Sequence, residues 1–494
     1  MTFLRREFLK RAAASAAAAT AAGRVIECAA DDKPQSSSPG EKLGVAVVGT
    51  GGRGSSHIDA YSGRKDTEIL YLVDCDKNQA GGKQKKVGER QGRDPQIEQD
   101  YRKMLEDPAV DVVTIATPNH WHSLIGIHAV QAGKHVYVEK PVSHNVWEGR
   151  QLVEWSRKTD TLVQCGTQSR SSPSLHEAHK FIHEGNLGPI KYVVGTCYKP
   201  RKSIGKLDKP LQIPDHIDYD LWCGPAAMVD LYRPKLHYDW HWDWNTGNGD
   251  MGNQGIHQMD IARWFLNEDK LSPKIISIGG RLGYEDGGNT PNTQTVLHAY
   301  EKAPLIFETR GLPESKAAQN AGWKPMDDYR GSQIGVLVFC EKGLLVIPSY
   351  SSATAFTYDG EQIQKWSGGG DHFGNLIDAI HEGNRELLKG EILEGHLSSA
   401  LCHTGGISHV LGRPATAKEV ASELSGHDLI AESFDRMAEH LRKNEVNIDA
   451  EPVLSLGPWV DMDGVAETII GNDAASRLLT RDYRDGYVVP DASA

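Results

Sequence analysis

The sequence predicts an α/β protein: an N-terminal domain on a doubly wound parallel sheet, followed by a C-terminal α/β domain on an open, mostly antiparallel sheet. Three observations carry this. From residue 43 onward short β-branched runs alternate with longer amphipathic stretches, a glycine-rich turn directly follows the first run, and after Gly166 the alternation gives way to isolated strand patterns. The 494 residues leave room for two or three domains.

The chain opens on Arg5-Arg6 followed by Phe8-Leu9-Lys10, and residues 12–22 are almost all Ala. A charged start, a paired arginine and a weakly apolar run form a twin-arginine export signal over residues 1–30, implying a periplasmic or otherwise exported protein that meets the twin-arginine machinery. Residues 31–41 are a polar linker. Strands are predicted at 43–48, 68–73, 110–116, 135–139 and 161–164, with helices at 77–90, 121–132 and 146–158, giving a nucleotide-binding type of domain over 42–165. Strands at 190–196, 274–278, 293–300, 305–308, 334–339 and 344–347 belong to a second domain, 166–450. Residues 451–494, with several Pro and Gly and little periodicity, read as an extended surface tail.

Composition excludes several classes. A net charge of −12 gives no basic footprint for nucleic acid, and no run beyond the N-terminus reaches the length of a membrane span. The 7 cysteines are scattered without a CxxC pair, which argues against a disulfide framework or a zinc ribbon. Trp (11) outnumbers Phe (9), and indoles combine large apolar faces with an N–H that needs a partner.

Gly49, Gly51 and Gly54 form GxGxxG directly after the first strand, with Gly52 and Arg53 between the last two. The first glycine makes the turn, the second admits a pyrophosphate to the backbone, and the third lets the helix pack closely, its N-terminus facing the phosphates. Asp74 ends the second strand about twenty residues on, where a carboxylate accepts from ribose hydroxyls and repels a 2′-phosphate, favouring NAD over NADP.

Two further motifs end the predicted strands 110–116 and 135–139 at the carboxyl edge of the sheet: ATPNHWHS (Ala116 to Ser123) and VEKPVS (Val138 to Ser143). With the glycine turn they resemble the glucose–fructose oxidoreductase, inositol dehydrogenase and rhizopine-catabolism (Gfo/Idh/MocA) family. The resemblance runs from Leu43 to Gly412, through His372-Phe373-Gly374-Asn375 and the segment from Gly395-His396. It implies that Lys140 contacts substrate and nicotinamide ribose in a catalytic role, that the Lys140-Pro141 bond is cis, and that Thr117, Asn119, His122 and Glu139 line the cofactor.

The run 238–244 alternates strictly. If extended, it places Tyr238, Trp240, Trp242 and Trp244 on one face, suited to the C–H faces of sugar rings or to filling a core, and Asp239, His241 and Asp243 on the other. A helix over 251–265 puts Asn253, His257, Asp260 and Trp264 on one face. Family members often carry Asp four residues before a His that acts on the substrate hydroxyl; His257 matches and Asn253 departs. Asn cannot relay a proton, which leaves His257 with Lys140, oriented by Asp260. His237 and His241 have a helical zinc spacing in a stretch read as extended, so no metal site is expected.

The expected activity is hydride transfer from a secondary hydroxyl of a sugar, glycoside or cyclitol to NAD, with Lys140 and His257 taking the proton and Trp240, Trp242 and Asn253 contacting substrate. The alternative is redox-neutral glycoside cleavage through transient sugar oxidation; a third reading is a cofactor-binding protein serving in recognition. A tightly held cofactor and a homo-oligomer complete the expectation.

Overall fold

The computed structural model describes residues 42–493 and the backbone of 25–27. Arg5, Arg6 and the Ala-rich run, on which the export signal rests, lie outside the described residues. Strand β1 (Val25–Glu27) runs parallel to the edge of the larger sheet.

The first sheet is parallel, with six strands among the described residues. These are β2 (Leu43–Val48), β3 (Thr67–Val73), β4 (Gln96–Glu98), β5 (Val112–Ile115), β6 (His135–Val138) and β7 (Val163–Cys165), in the order β4-β3-β2-β5-β6-β7. Its central strands are Val- and Ile-rich because both faces are covered. Helices Asn119–Gln131 and Val146–Lys158 lie over one face, and Gly54–Ser62 and Lys77–Gln91 over the other. β4 escapes sequence reading because it is a short edge strand without a fully buried residue. The chain later returns to both faces. Leu376 and Ile377 of helix His372–His381 pack with Val45, Val47 and Ile69, while Ile392, Tyr487 and Val489 join the opposite core.

The second sheet is mostly antiparallel and built on β8 (Ile190–Tyr198), β9 (Lys274–Gly280), β10 (Thr293–His298), β11 (Leu305–Arg310), β12 (Ile334–Cys340), β13 (Gly343–Ser349), β14 (Ser352–Thr357) and β15 (Gln362–Ser367). β8 and β11 pair in parallel; the other pairs among these eight are antiparallel. Helices Ile256–Leu266 and Ile392–Val410 bury Ile256, Met259, Phe265 and Leu401 against the face carrying Val193 and Phe307. Phe434, Met437 and Leu441 of helix Asp428–Lys443 cover the face carrying Val194 and Ile306.

The expected tail, 451–494, is corrected in its first half. Leu454–Leu456 joins β9 and the short strand Arg413–Ala415, and Val460–Asp463 pairs with β9 and with Thr468–Ile469. These strands are too short to show periodicity, yet Leu454, Val460 and Met462 are buried. Beyond helix Asp473–Arg477 the chain does run irregularly, back across the first domain.

Candidate active site

A cleft of about 530 Å³ runs between the two sheets, from Gly49, Gly51 and Asp74 at one end to Lys140, His257 and Tyr350 at the other. At its first end the backbone dictates the sequence. Gly49 has φ +83°, and a Cβ there would stand 2.7 Å from the Ala116 carbonyl. At Gly54 a Cβ would lie 1.9 Å from the Gly49 carbonyl oxygen, so only glycine lets the helix start against the turn. Gly51 and Gly52 both line the cleft; a Cβ at Gly51 would meet Gln79 Oε1 at 3.8 Å, and one at Gly52 would meet nothing within 4 Å. Thr50 donates from its N–H (2.8 Å) and hydroxyl (3.0 Å) to one Asp74 oxygen, and Asp76 N–H donates to the other (3.0 Å). Burial raises the Asp74 carboxyl above its ordinary value despite these three donors.

The end of β6 is an ionic knot. Glu139 is buried and accepts from Arg53 Nε (2.7 Å), His57 Nε2 (3.2 Å) and the Lys140 N–H (3.3 Å). Burial opposes its charge, but Arg53, His57 and Lys140 hold its carboxyl well below the usual range. The Lys140-Pro141 bond is cis, as the resemblance implies. The His122 ring spans the Pro141 (2.6 Å) and Thr117 (2.8 Å) carbonyls, tying the two motif turns together. Asn119 donates to Asn248 (2.9 Å), and the buried Thr117 hydroxyl has no protein partner.

At the far end Lys140 Nζ donates to the Asn253 carbonyl (2.6 Å). Asn253 lies in a π-helical turn, Met251–Gly255, that heads the helix carrying His257; such widened turns are frequent at functional sites. His257 is buried, its Nδ1 has no protein partner, and its ring centroid is 4.7 Å from that of Tyr350. Burial pushes Lys140 below its ordinary value, and burial with the nearby Lys140 charge pushes His257 well below its own.

Two expectations fail here. Residues 238–244 are not extended: Tyr238 has φ +66° and Asp239–Trp242 is a 3₁₀ turn. The Trp240 carbonyl accepts from Thr246 Oγ1 (2.9 Å), and Gly247 packs so closely on this turn that a Cβ would meet the same oxygen at 2.6 Å. Trp242 is therefore buried, with Arg201 over its ring at 4.8 Å, while Tyr238, Trp240 and His241 line the cleft. Burial lowers His241 to about 3. Nor does Asp260 orient His257, because it accepts from Arg170 Nε (2.8 Å) and Ser398 (2.7 Å) instead. The other acids near the histidines are likewise engaged, Asp243 by Arg233 (2.9 Å) and Asp250 by Arg201 (2.7 Å). Among the described residues no three His, Cys, Asp or Glu side chains are grouped to hold a metal.

Sequence reading missed Tyr350, in the turn between β13 and β14, and Gln254, whose amide donates to the Tyr350 hydroxyl (2.9 Å). It also missed Leu221 and Trp222 on the wall near Asp74. Their only sequence signal was the proximity of Gln254 to Asn253; Tyr350, Leu221 and Trp222 belong to no motif.

A glycine turn open to the cleft at Gly51, a pinned carboxylate on the next strand and an unpartnered Thr117 hydroxyl in the same cleft fit a dinucleotide. The class is a two-domain nucleotide-binding protein whose cleft continues past its nucleotide end to Lys140 and His257. Residues 43–167 match the family model described as "Oxidoreductase family, NAD-binding Rossmann fold", and 174–307 match "Oxidoreductase family, C-terminal alpha/beta domain". The chain belongs to the Gfo/Idh/MocA oxidoreductases, and its first domain is an NAD-binding Rossmann fold. Levoglucosan dehydrogenase of Pseudarthrobacter phenanthrenivorans is 25% identical over 234 residues, 45% of this chain and 53% of that protein. The chain thus spans about half the length of that relative. Inositol 2-dehydrogenase of Corynebacterium glutamicum is 22% identical, covering 74% of this chain and 93% of its own. The fold is shared with the WlbA dehydrogenase of Bordetella pertussis, crystallised with NADH and UDP-GlcNAcA, at a TM-score of 0.54 and 16% identity over 74% of this chain and 96% of that one.

Proposed function

We propose that this chain is an exported, NAD-dependent oxidoreductase acting on a secondary hydroxyl of a sugar, glycoside or cyclitol. The carrying observation is that Lys140 and His257, both depressed in pKa, share one cleft with the dinucleotide turn. Gly49, Gly51, Gly54, Asp74, Thr117 and Glu139 are the residues that would hold NAD, Asp74 meeting the adenosine ribose. NAD, when bound, supplies the two-electron acceptor.

The chain's own part is proton handling and placement. Lys140 Nζ, fixed by the Asn253 carbonyl, donates to the reacting hydroxyl oxygen, and the His257 imidazole in the same cleft accepts its proton. Since Asn253 contributes its main-chain carbonyl, having Asn rather than Asp there leaves this arrangement intact. Trp240 and Tyr350 offer ring faces to the substrate. The sugar and cyclitol substrates in the names of the relatives support this substrate class.

Arg5-Arg6 supports export with cofactor already in place, and a protein outside the cytoplasm has no soluble NAD pool to draw on. NAD should therefore co-purify with the chain, survive dialysis and be recovered on denaturation. Presenting polyols and aryl glycosides while following reduced-cofactor absorbance and aglycone release tests the chemistry. Cofactor reduction without aglycone release supports oxidation, and aglycone release with no net reduction replaces it with glycoside cleavage. Neither signal from a folded, NAD-loaded protein over a broad panel would refute the reading.

A further inference from the structure

The segment between β8 and the π-helical turn does more than connect them. It folds back over the first domain and is seated on the turn just beyond Asp74. Asp76 and Ile217 form an antiparallel bridge, Lys77 N–H donates to the His216 carbonyl (3.1 Å), Asp218 N–H to the Cys75 carbonyl (3.0 Å), and His237 Nε2 to Asp76 Oδ2 (2.9 Å). This seating brings Leu221, Trp222, Tyr238 and Trp240 over the cleft as a cover.

The cover is also gripped from outside. Its short helix, Tyr219–Cys223, carries Asp220, whose carboxylate accepts from Tyr487 Oη (2.5 Å) and pairs with Arg484. Arg484 also donates to the carbonyls of Asp220 (3.2 Å) and Gly224 (3.1 Å). The strap bearing these two residues is fixed to the first domain. Tyr487 packs edge-on against Trp121 (5.5 Å), which itself donates to the Leu221 carbonyl (3.0 Å), and Trp155 Nε1 donates to the Pro490 carbonyl (3.1 Å). Arg481 donates to the Asn245 carbonyl (3.0 Å), anchoring the same strap at the other end of the cover.

We propose that residues 481–490 are a latch on this cover, and that Asp220, Arg484 and Tyr487 are positioning residues that set how fast NAD leaves the cleft. The strap touches the cover and the first domain, so it acts on the cofactor through Leu221 and Trp222. Holding a cover closed slows dissociation without any new contact to the ligand. The proposal rests on the reading that the cleft takes NAD.

The test is a chase. Full-length protein loaded with NADH is mixed with excess NAD, and release is followed by energy transfer from the cleft tryptophans to the bound reduced nicotinamide. Tyr487→Phe keeps the ring on Trp121 and removes one bond; Asp220→Asn is isosteric and weakens both. Each should speed release roughly tenfold, the scale of one hydrogen bond to a charged group. The double variant should add little, because both changes break the same grip. Melting of the cofactor-free protein should not move, and Arg484→Lys should release more slowly than Arg484→Ala. Release at the wild-type rate from Tyr487→Phe and Asp220→Asn overturns the latch, as does a fall in melting temperature without faster release. If the wild-type protein holds no NADH, the functional reading itself fails; if it holds NADH and the variants release it no faster, only the latch fails.

Discussion

The two ends of the cleft are built by different means. The nucleotide end is main chain: a glycine turn, the ends of parallel strands and a helix N-terminus, contributed largely by residues 43–140. The substrate end is side chain, with Tyr238, Trp240, His257 and Tyr350 arriving from a 3₁₀ turn, a helix and a hairpin turn. Backbone geometry admits few residue types, whereas side chains that meet across separate elements leave each element free to vary. The difference should be measurable, because under the proposed function the substrate end carries the chemistry while the nucleotide end carries affinity and fold.

The largest effect is expected at the substrate end. Lys140→Met and His257→Ala should each lower turnover by roughly 10²–10⁴-fold, about 3–5 kcal/mol, with melting temperature and NAD affinity nearly unchanged. Stopped-flow reduction at saturating cofactor reads this, and near-wild-type turnover in either variant would remove that residue from the chemistry. Next comes Gly54→Ala, which forces the helix start away from the Gly49 carbonyl. It should destabilise the protein by about 1–3 kcal/mol in urea unfolding and weaken NAD binding with it. Unchanged stability would show that the turn gives way freely and blur the contrast between the ends.

Asp74→Ala sharpens the comparison within the nucleotide end. It should weaken NAD by about 1–2 kcal/mol and NADP by less, as judged by calorimetry; equal losses would mean that Asp74 holds only Thr50 and Asp76. The last effect, which leaves turnover untouched, separates site histidines from structural ones. Both nitrogens of His298, on β10, are buried without partners, and burial lowers its pKa to about 3. The folded chain therefore takes up this proton less readily than the unfolded chain, whose His titrates near 6.5. Stability is full above about pH 6.5 and falls as pH drops from there towards 3, by about 1.4 kcal/mol per pH unit for one such group. His298→Leu should flatten the urea-unfolding profile between pH 6.5 and 5 by one proton without touching turnover, and an unaltered slope would contradict this.

What could be read from the sequence follows the same divide. Gly49, Gly54 and Asp74 stand at spacings that one fold requires, and the parallel strands announce themselves as doubly buried apolar runs. The substrate end misled in two ways. Alternation over 238–244 looks like a strand, but the local bonds of Thr246 and the close packing of Gly247 convert it to a turn. Helical spacing puts Asp260 one turn from His257, yet spacing says nothing of Arg170, which arrives from a different element and claims the carboxylate. Tyr350 had no signal at all, since a tyrosine in a hairpin turn is unremarkable until the turn is placed above a helix.

The return of helix His372–His381 and of Tyr487 and Val489 to opposite faces of the first sheet has a consequence for biosynthesis. A ribosome that has finished residues 43–167 has made every strand of that sheet but neither of its final coverings. The nascent nucleotide half must wait, with apolar surface exposed, for segments that emerge last. A fragment ending near residue 170 should therefore aggregate where the full chain does not.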